Sequence, residues 1–445
     1  MKKFIDTIKN IWAIDELKSK ILVTLALLVT YRLGTHIVLP GIDPNALDSL
    51  KGNAQKGLLG LFDQFAGGAF SQASILALGI MPYISASIFM QLVTILVPQF
   101  QKIQKEGESG RKKINQWTRY LTVLVTIFQA GAYITYLRGF KEAFIPAYEP
   151  FFTLSTIILL TAGTLFVMWL GEKITDKGLG NGTSLIIMVG ILARLPQSFV
   201  QEFIAKNTKG GGGVLVFIIE IAVLIAIIMG LIVLVQGVRK ITINYAKQIV
   251  GNRQFGGARQ FLPIKVNSAG VMPIIFAQAI IFIPTIFAKF DTTGGFIKIL
   301  NDHSNGWYML IYSVLVIAFT YLYTAIIFNP KQIAEDLKRN NGFIPGVKPG
   351  QPTADYIGSV MDKVTLPGAL ILAFVGILPG LAQGFGGVTA GFSSFFGGTS
   401  LLIMVGVILD TLQQIETHLL MRQYDGLMSG GRIQGRQPVS SSPIG

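Results

Sequence analysis

The sequence predicts an all-α integral membrane protein of ten transmembrane helices, arranged as two inverted, pseudo-symmetric halves of five. Three observations carry that expectation. Apolar side chains make up 51% of the 445 residues and charged ones only 13%, a balance too greasy for a soluble protein of this length. The apolar residues gather in uncharged runs, each near the ~20 residues that cross ~30 Å of hydrocarbon. Short motifs also recur five runs apart, and an odd spacing puts the two copies in opposite orientations across a membrane.

The runs fall near residues 21–39, 73–97, 120–137, 151–171, 183–201, 214–238, 266–288, 306–329, 364–381 and 398–417. Helices are the expected spanning form, because the runs lack strict alternation and lipid cannot satisfy open backbone groups. Placing successive connections on alternate sides puts 27 lysines and arginines on the side of the amino terminus and 9 on the other. The excess of positive charge on the inner side then sets both termini in the cytoplasm. Residues 1–20 read as a cytoplasmic helix lying in the membrane interface, with Phe4, Ile8, Ile11 and Trp12 near one face. No small-residue cleavage site precedes the first run, so that run is expected to stay.

Most of the net charge of +14 lies on the cytoplasmic side, and two connections there are large. Residues 236–267 carry six basic and no acidic residues, and residues 329–364 form the second. Such a face suits a polyanion, whether ribosomal RNA, an acidic protein or anionic lipids. Sparse aromatic interleaving argues against reading of bases.

The repeat points to a pathway. Gly182-Thr-Ser-Leu-Ile-Ile-Met-Val-Gly190 in run five matches Gly398-Thr-Ser-Leu-Leu-Ile-Met-Val-Gly406 in run ten at eight of nine positions, and Gly79-Ile-Met-Pro82 in run two matches Gly270-Val-Met-Pro273 in run seven. Inverted repeats place their functional pathway where corresponding short or Gly/Pro-interrupted helices meet. The register pairs Ile84 with Ile275, Ile187 with Ile403, and Ile80 with Val271. Four isoleucines from four helices then meet near mid-membrane as an apolar constriction; ordinary helix packing gives the same pattern.

Reactive chemistry is scarce. There is no cysteine, and His36, His303 and His418 lie far apart, so neither a metal site nor a cofactor is expected. Sequence signatures of zinc proteases, phosphate loops and serine hydrolases are missing, and the chain is not expected to be an enzyme. Gly178-Leu-Gly-Asn-Gly182 reads as a flexible entry to run five. Arg32, near the outer end of run one, is expected to snorkel. Glu220 is the one expensive group inside a run, either paired structurally or part of a proton relay. Gln91, Gln129 and Gln278 fall inside runs two, three and seven, suited to bonding between helices or to lining a seam that opens. A secondary transporter would need polar ligands near Ile84 and Ile275, where Ile, Met, Pro, Tyr, Ser and Ala stand instead.

Pro40-Gly-Ile-Asp-Pro44, Ala77-Leu-Gly-Ile-Met-Pro-Tyr-Ile-Ser-Ala-Ser87, Lys105-Glu-Gly-Glu-Ser-Gly-Arg111, Gly180-Asn-Gly182, Val266-Asn267 with Ala269-Gly270, and Asn329-Pro330 followed by Gly346-Val-Lys-Pro-Gly350 stand in this order along the chain. Together they resemble the SecY family of bacterial protein-conducting channels, over nearly the whole length. The resemblance implies a clamshell around a central pore, with halves at 21–205 and 214–420, a hinge at 206–213 and a cytoplasmic tail at 421–445. It implies a plug helix at about 61–71, with Phe62, Phe65, Gly67, Gly68 and Phe70. It also implies a pore ring of Ile80, Ile84, Ile187, Ile275 and Ile403, and a lateral gate at Ser87, Gln91, Gln129 and Gln278. Arg253, Arg259 and Lys348 are the implied contacts for a motor or ribosome. Lys348 departs from the arginine common at that place and offers a point charge without the planar fork. The implied partners are SecE and SecG, the SecA motor ATPase, the ribosome, signal sequences and nascent polypeptides, in the bacterial cytoplasmic membrane. The implied work is translocation of unfolded chains across the membrane and lateral release of transmembrane segments into lipid.

Overall fold

The computed structural model describes residues 12, 14–43, 63–139, 149–208, 213–245, 248–250, 253–255, 259–287 and 305–430. Phe62, most of the interfacial segment 1–20, positions 209–212 of the predicted hinge, and 431–445 of the tail lie outside them. Helices dominate: α1 (Asp15–Gly34), α2 (Met81–Leu96), α3 (Pro98–Lys105), α4 (Glu108–Leu137), α5 (Glu149–Lys177), α6 (Gly182–Thr208) and α7 (Gly213–Gln236), then α8 (Met272–Phe287), α9 (Gly306–Ile327), α10 (Pro330–Arg339), α11 (Gln351–Gly384), α12 (Ala390–Ser393) and α13 (Gly398–Gly430). Among the described residues seven helices, α4 to α7 with α9, α11 and α13, are long and apolar enough to cross a membrane.

The other three predicted spans fall on α1, α2 and α8. The last two are 16 residues each, about 24 Å of helix, short of the ~30 Å hydrocarbon core. Each begins at the same place in the repeated motif. Gly79 (φ +52°) and Gly270 (φ +63°) take a left-handed turn that other residues adopt only at a cost. The prolines three residues on then occupy the first turn of their helices, where a missing N–H costs nothing. The second motif likewise starts α6 at Gly182 and α13 at Gly398. The inverted repeat is thus visible as four helices launched from matched positions.

The halves meet along α6, which packs on α7, α12 and α13. On the amino-terminal side α2, α4, α5 and α1 pack in succession; on the other, α8, α9 and α11 do so. The carboxyl-terminal end of α6 extends to Thr208, beyond the run predicted to end at 201. Lys206 is therefore a buried helical residue rather than part of a hinge loop.

The two large connections add a small sheet that hydropathy does not announce. Strands β1 (Val238–Tyr245), β2 (Gln248–Val250), β3 (Arg253–Phe255) and β4 (Arg259–Lys265) follow α7, and β5 (Gly342–Phe343) follows α10. The order β4-β1-β5 is antiparallel, with Ile241 opposite Leu262 and Tyr245 opposite Gly342. Ile241, Ile243 and Ile264 face a small core with Leu337, Ile344, Ile357 and Met361. The two basic connections are therefore one folded platform.

Candidate functional site

Four of the five predicted ring positions come together. Ile80, Ile187 and Ile403 are buried in one apolar cluster and Ile84 packs against it, so both halves contribute. Ile275 is not among the residues of that cluster; Val271, the repeat counterpart of Ile80, takes part instead. Val271 sits in the turn just before α8, as Ile80 does before α2. Phe65 is buried in the same group, which sets the predicted plug directly against these isoleucines.

The plug segment differs from the expected plug helix. Within its described part only residues 63–65 are helical, and turns follow up to Ile80. It is also pinned on several sides. Phe70 and Ala69 are buried against Tyr133 and Ile134 of α4, and the Tyr133 hydroxyl donates to the Phe70 carbonyl at 2.7 Å. Leu39 N–H donates to the Ala73 carbonyl and Ile75 N–H to the Ile37 carbonyl, tying the segment to the chain after α1. Arg32 does not snorkel: its Nη1 donates to the Gly67 carbonyl at 3.0 Å, so the charge is spent on the plug backbone. Gln64 Nε2 reaches Ser394 Oγ in the other half at 3.0 Å.

Arg194 of α6, which the sequence reading passes over, pairs with the fully buried Asp63 and donates to Ser71 Oγ at 3.0 Å. Asp63 Oδ1 accepts the Ser71 amide at 2.8 Å. Burial pushes the Asp63 carboxyl up from its usual range, while the Arg194 guanidinium and the Ser71 amide pull it back. Gly67 and Gly190 touch backbone to backbone: a Cβ added at Gly190 would lie 2.7 Å from the Phe65 carbonyl oxygen, and one added at Gly67 would lie 2.8 Å from the Gly190 Cα.

Of the gate residues, Gln91 finds a partner across the halves. The Tyr323 hydroxyl of α9 donates to its Oε1 at 3.0 Å, and Tyr323 packs beside Phe276 of α8. Ser87 is half-buried on the same helix as Gln91. Gln129 does not join them, and its Oε1 is buried without a hydrogen-bond partner. Gln278 lines a partly open cavity of about 60 Å³ with Gln64, Tyr312 and Thr399, large enough for water. Tyr323 is missed because tyrosines are common in apolar runs and nothing local marks its partner.

One further reading is corrected. The glycine turn 178–182 is tightly held rather than flexible: Leu179 N–H donates to Thr24 Oγ1, Gly180 N–H to Gln414 Oε1 and Gly182 N–H to Thr175 Oγ1. A Cβ at Gly182 would meet the Gly171 carbonyl oxygen at 2.0 Å. Glu220 takes the first of its two expected forms, a structural pair: Lys206 Nζ lies 2.8 Å from its Oε1 and 3.6 Å from Glu202 Oε1. On the platform, Lys348 is exposed, and Arg253 and Arg259 stand in β3 and β4 with side chains outside the described residues. No group of residues able to hold a metal ion occurs among the described residues.

The SecY family model matches residues 74–412. The protein translocase subunit SecY of Thermotoga maritima is 41% identical over 437 residues, covering 96% of this chain and 99% of that one. The protein of the same name from Streptomyces scabiei is 40% identical over 430 residues, covering 93% of this chain and 97% of that one. A solved protein-conducting channel superposes with a TM-score of 0.61 at 15% identity, over 94% of this chain and 95% of that one. The Sec61 chain of a canine ribosome-channel complex does so with a TM-score of 0.59 at 14% identity, over 94% and 95%. At those identities the structures speak for the fold.

Proposed function

Since this chain belongs to the SecY family, we propose that it is the central subunit of a protein-conducting channel of the bacterial cytoplasmic membrane, passing unfolded polypeptides outward and releasing apolar segments sideways into lipid. The observation that carries this is the cluster of Ile80, Ile84, Ile187 and Ile403, drawn from both halves and capped by Phe65. Apolar side chains around a constriction adapt to any passing sequence and dewet when empty, so they admit a chain without binding it and block ions at rest. The segment 63–71 is the plug. A seam runs between α2 and α4 on one side and α8 and α9 on the other, closed at Gln91 and Tyr323.

The channel does no covalent chemistry of its own; a motor or ribosome supplies the work. Relatives in solved structures include a channel bound to the ribosome, and the platform of β1, β4, β5 and α10, with Arg253, Arg259 and Lys348, is the docking face for a ribosome or SecA. SecE and SecG are the membrane partners, anionic lipids surround the basic face, and both termini lie in the cytoplasm. The test is reconstitution in vesicles with SecE, SecG, SecA and ATP. A secretory precursor should become protected from protease only when this chain is present. Protection without it, or none with it, would refute the reading.

A further inference from the structure

Arg194 is the unexplained charge of the molecule. It stands on a membrane-spanning helix, where an arginine is expensive, and its partner is 131 residues away in a segment of turns. Every feature around it is shaped to receive that segment. Asp63 is fully buried and accepts the Ser71 amide as well as the guanidinium. Gly68, at φ +93°, lies against the Arg194 guanidinium, so an added Cβ would meet Nη2 at 3.5 Å. One turn back on α6, Gly190 gives the room that lets Phe65 and Gly67 approach its backbone.

The repeat sharpens the point. Carrying the match of Gly182 with Gly398 forward places Gly190 opposite Gly406 and Arg194 opposite Asp410. Around Gly406 an added Cβ would meet nothing within 4 Å, and Asp410 is exposed. The glycine slot is kept in both halves, but the cation stands in only one. Helix packing alone would not ask for a charge at 194 and the opposite charge at its counterpart. Fastening one acidic segment on one side of the membrane does ask for it.

We propose that Arg194 is the positioning residue that seats the plug, and that parting the buried Arg194–Asp63 pair is the step that sets how easily the resting channel opens. The proposal rests on the channel reading above and adds the residue that governs its closed state. Arg32 holds only a backbone carbonyl of the segment, so it supports the seat without recognising any side chain. Removing one member of a buried pair leaves the other charge stranded and is strongly destabilising to the seated form. The open form, in which water reaches both groups, is spared.

The chain has no cysteine, so one introduced at the fully buried Ala69 is its only thiol. In the reconstituted SecE- and SecG-containing complex, a membrane-impermeant maleimide added from outside should label A69C at least about tenfold faster when Arg194→Gln is present. Asp63→Asn should act likewise, and the double variant should be no faster than R194Q alone, since the two residues act through one another. Arg194→Lys, which keeps the charge, should return labelling close to the parent rate. Each variant must still translocate a normal precursor, which certifies folding and separates the two claims. If the parent channel does not translocate, the channel reading fails. If it does, and R194Q neither speeds labelling nor raises resting ion conductance, or R194K behaves as R194Q does, the seat is ordinary packing and the proposal is overturned. If R194Q proves unfolded, D63N with the same readouts decides.

Discussion

The buried cluster at the carboxyl-terminal end of α6 gives a prediction whose size follows from its geometry. Lys206 Nζ lies 2.8 Å from Glu220 Oε1 on α7 and 3.6 Å from Glu202 Oε1 one turn earlier, and it donates to the carbonyls of Gly386 and Gly387 at 3.2 and 3.0 Å. Glu202 Oε2 accepts both the amide and the hydroxyl of Thr389. One ammonium thus binds α6, α7 and the segment before α12, and all three charged side chains are less than a tenth exposed. Lys206→Met keeps the volume of the aliphatic stem and strands two carboxylates out of water. That should cost about 3–5 kcal/mol, a large share of the ~5–15 kcal/mol by which folded domains are held. Glu220→Gln leaves one cation with one anion and an amide able to hydrogen-bond, and should cost only about 1 kcal/mol. Equilibrium unfolding of the purified protein in mixed micelles measures both. If K206M and E220Q lose similar stability, or K206M loses less than about 1 kcal/mol, the cluster does not join these elements as argued.

Three other outcomes are expected. Replacing Ile80, Ile84, Ile187 and Ile403 together by serine should make the resting channel conduct ions in a planar bilayer, whereas leucine at the same places should not; four serines at the exposed Ile158, Ile218, Ile219 and Ile225 serve as control, and equal low conductance would reduce the ring to packing. Tyr323→Phe removes the one bond to Gln91 and about 1 kcal/mol from the closed seam, so the ratio of integrated to secreted product for a marginally apolar segment should rise about fivefold; an unchanged ratio would mean the seam opens elsewhere. Reversing Arg253 and Arg259 should weaken binding of SecA or the ribosome most at low salt and leave folding intact; unchanged affinity for both across a salt series would discard the platform as the docking face.

The membrane architecture is legible because its cause is local. A run of apolar residues, a lysine bias and a repeated Gly-Ile-Met-Pro or Gly-Thr-Ser-Leu start each act within a few turns of chain, and the meeting of Ile187 and Ile403 in one cluster follows from matched helix starts. Ile275 and Val271 stand at the repeat positions of Ile84 and Ile80, yet only Val271 packs on the cluster, a difference between the halves that the matched helix starts do not announce. Long-range pairs leave no such trace. Asp63 with Arg194, and Tyr323 with Gln91, join residues far apart in sequence, and each partner alone looks like a stray polar group. Two signals were present and unused. Ile241, Ile243 and Tyr245 alternate with polar residues, the mark of β1, and Glu202 with Lys206 four residues on announces a paired helical turn that lengthens α6.

The measurement closest to the central claim uses the missing thiols. With single cysteines placed in turn at Ile80, Ile84, Ile187 and Ile403, and a precursor carrying one cysteine stalled in mid-passage, oxidation should form a disulfide between channel and passenger at each of the four positions. None should form at Ile158 or Ile219. A passenger that cross-links equally to the lipid-facing sites, or to none of the four, would contradict an isoleucine constriction as the path of the chain.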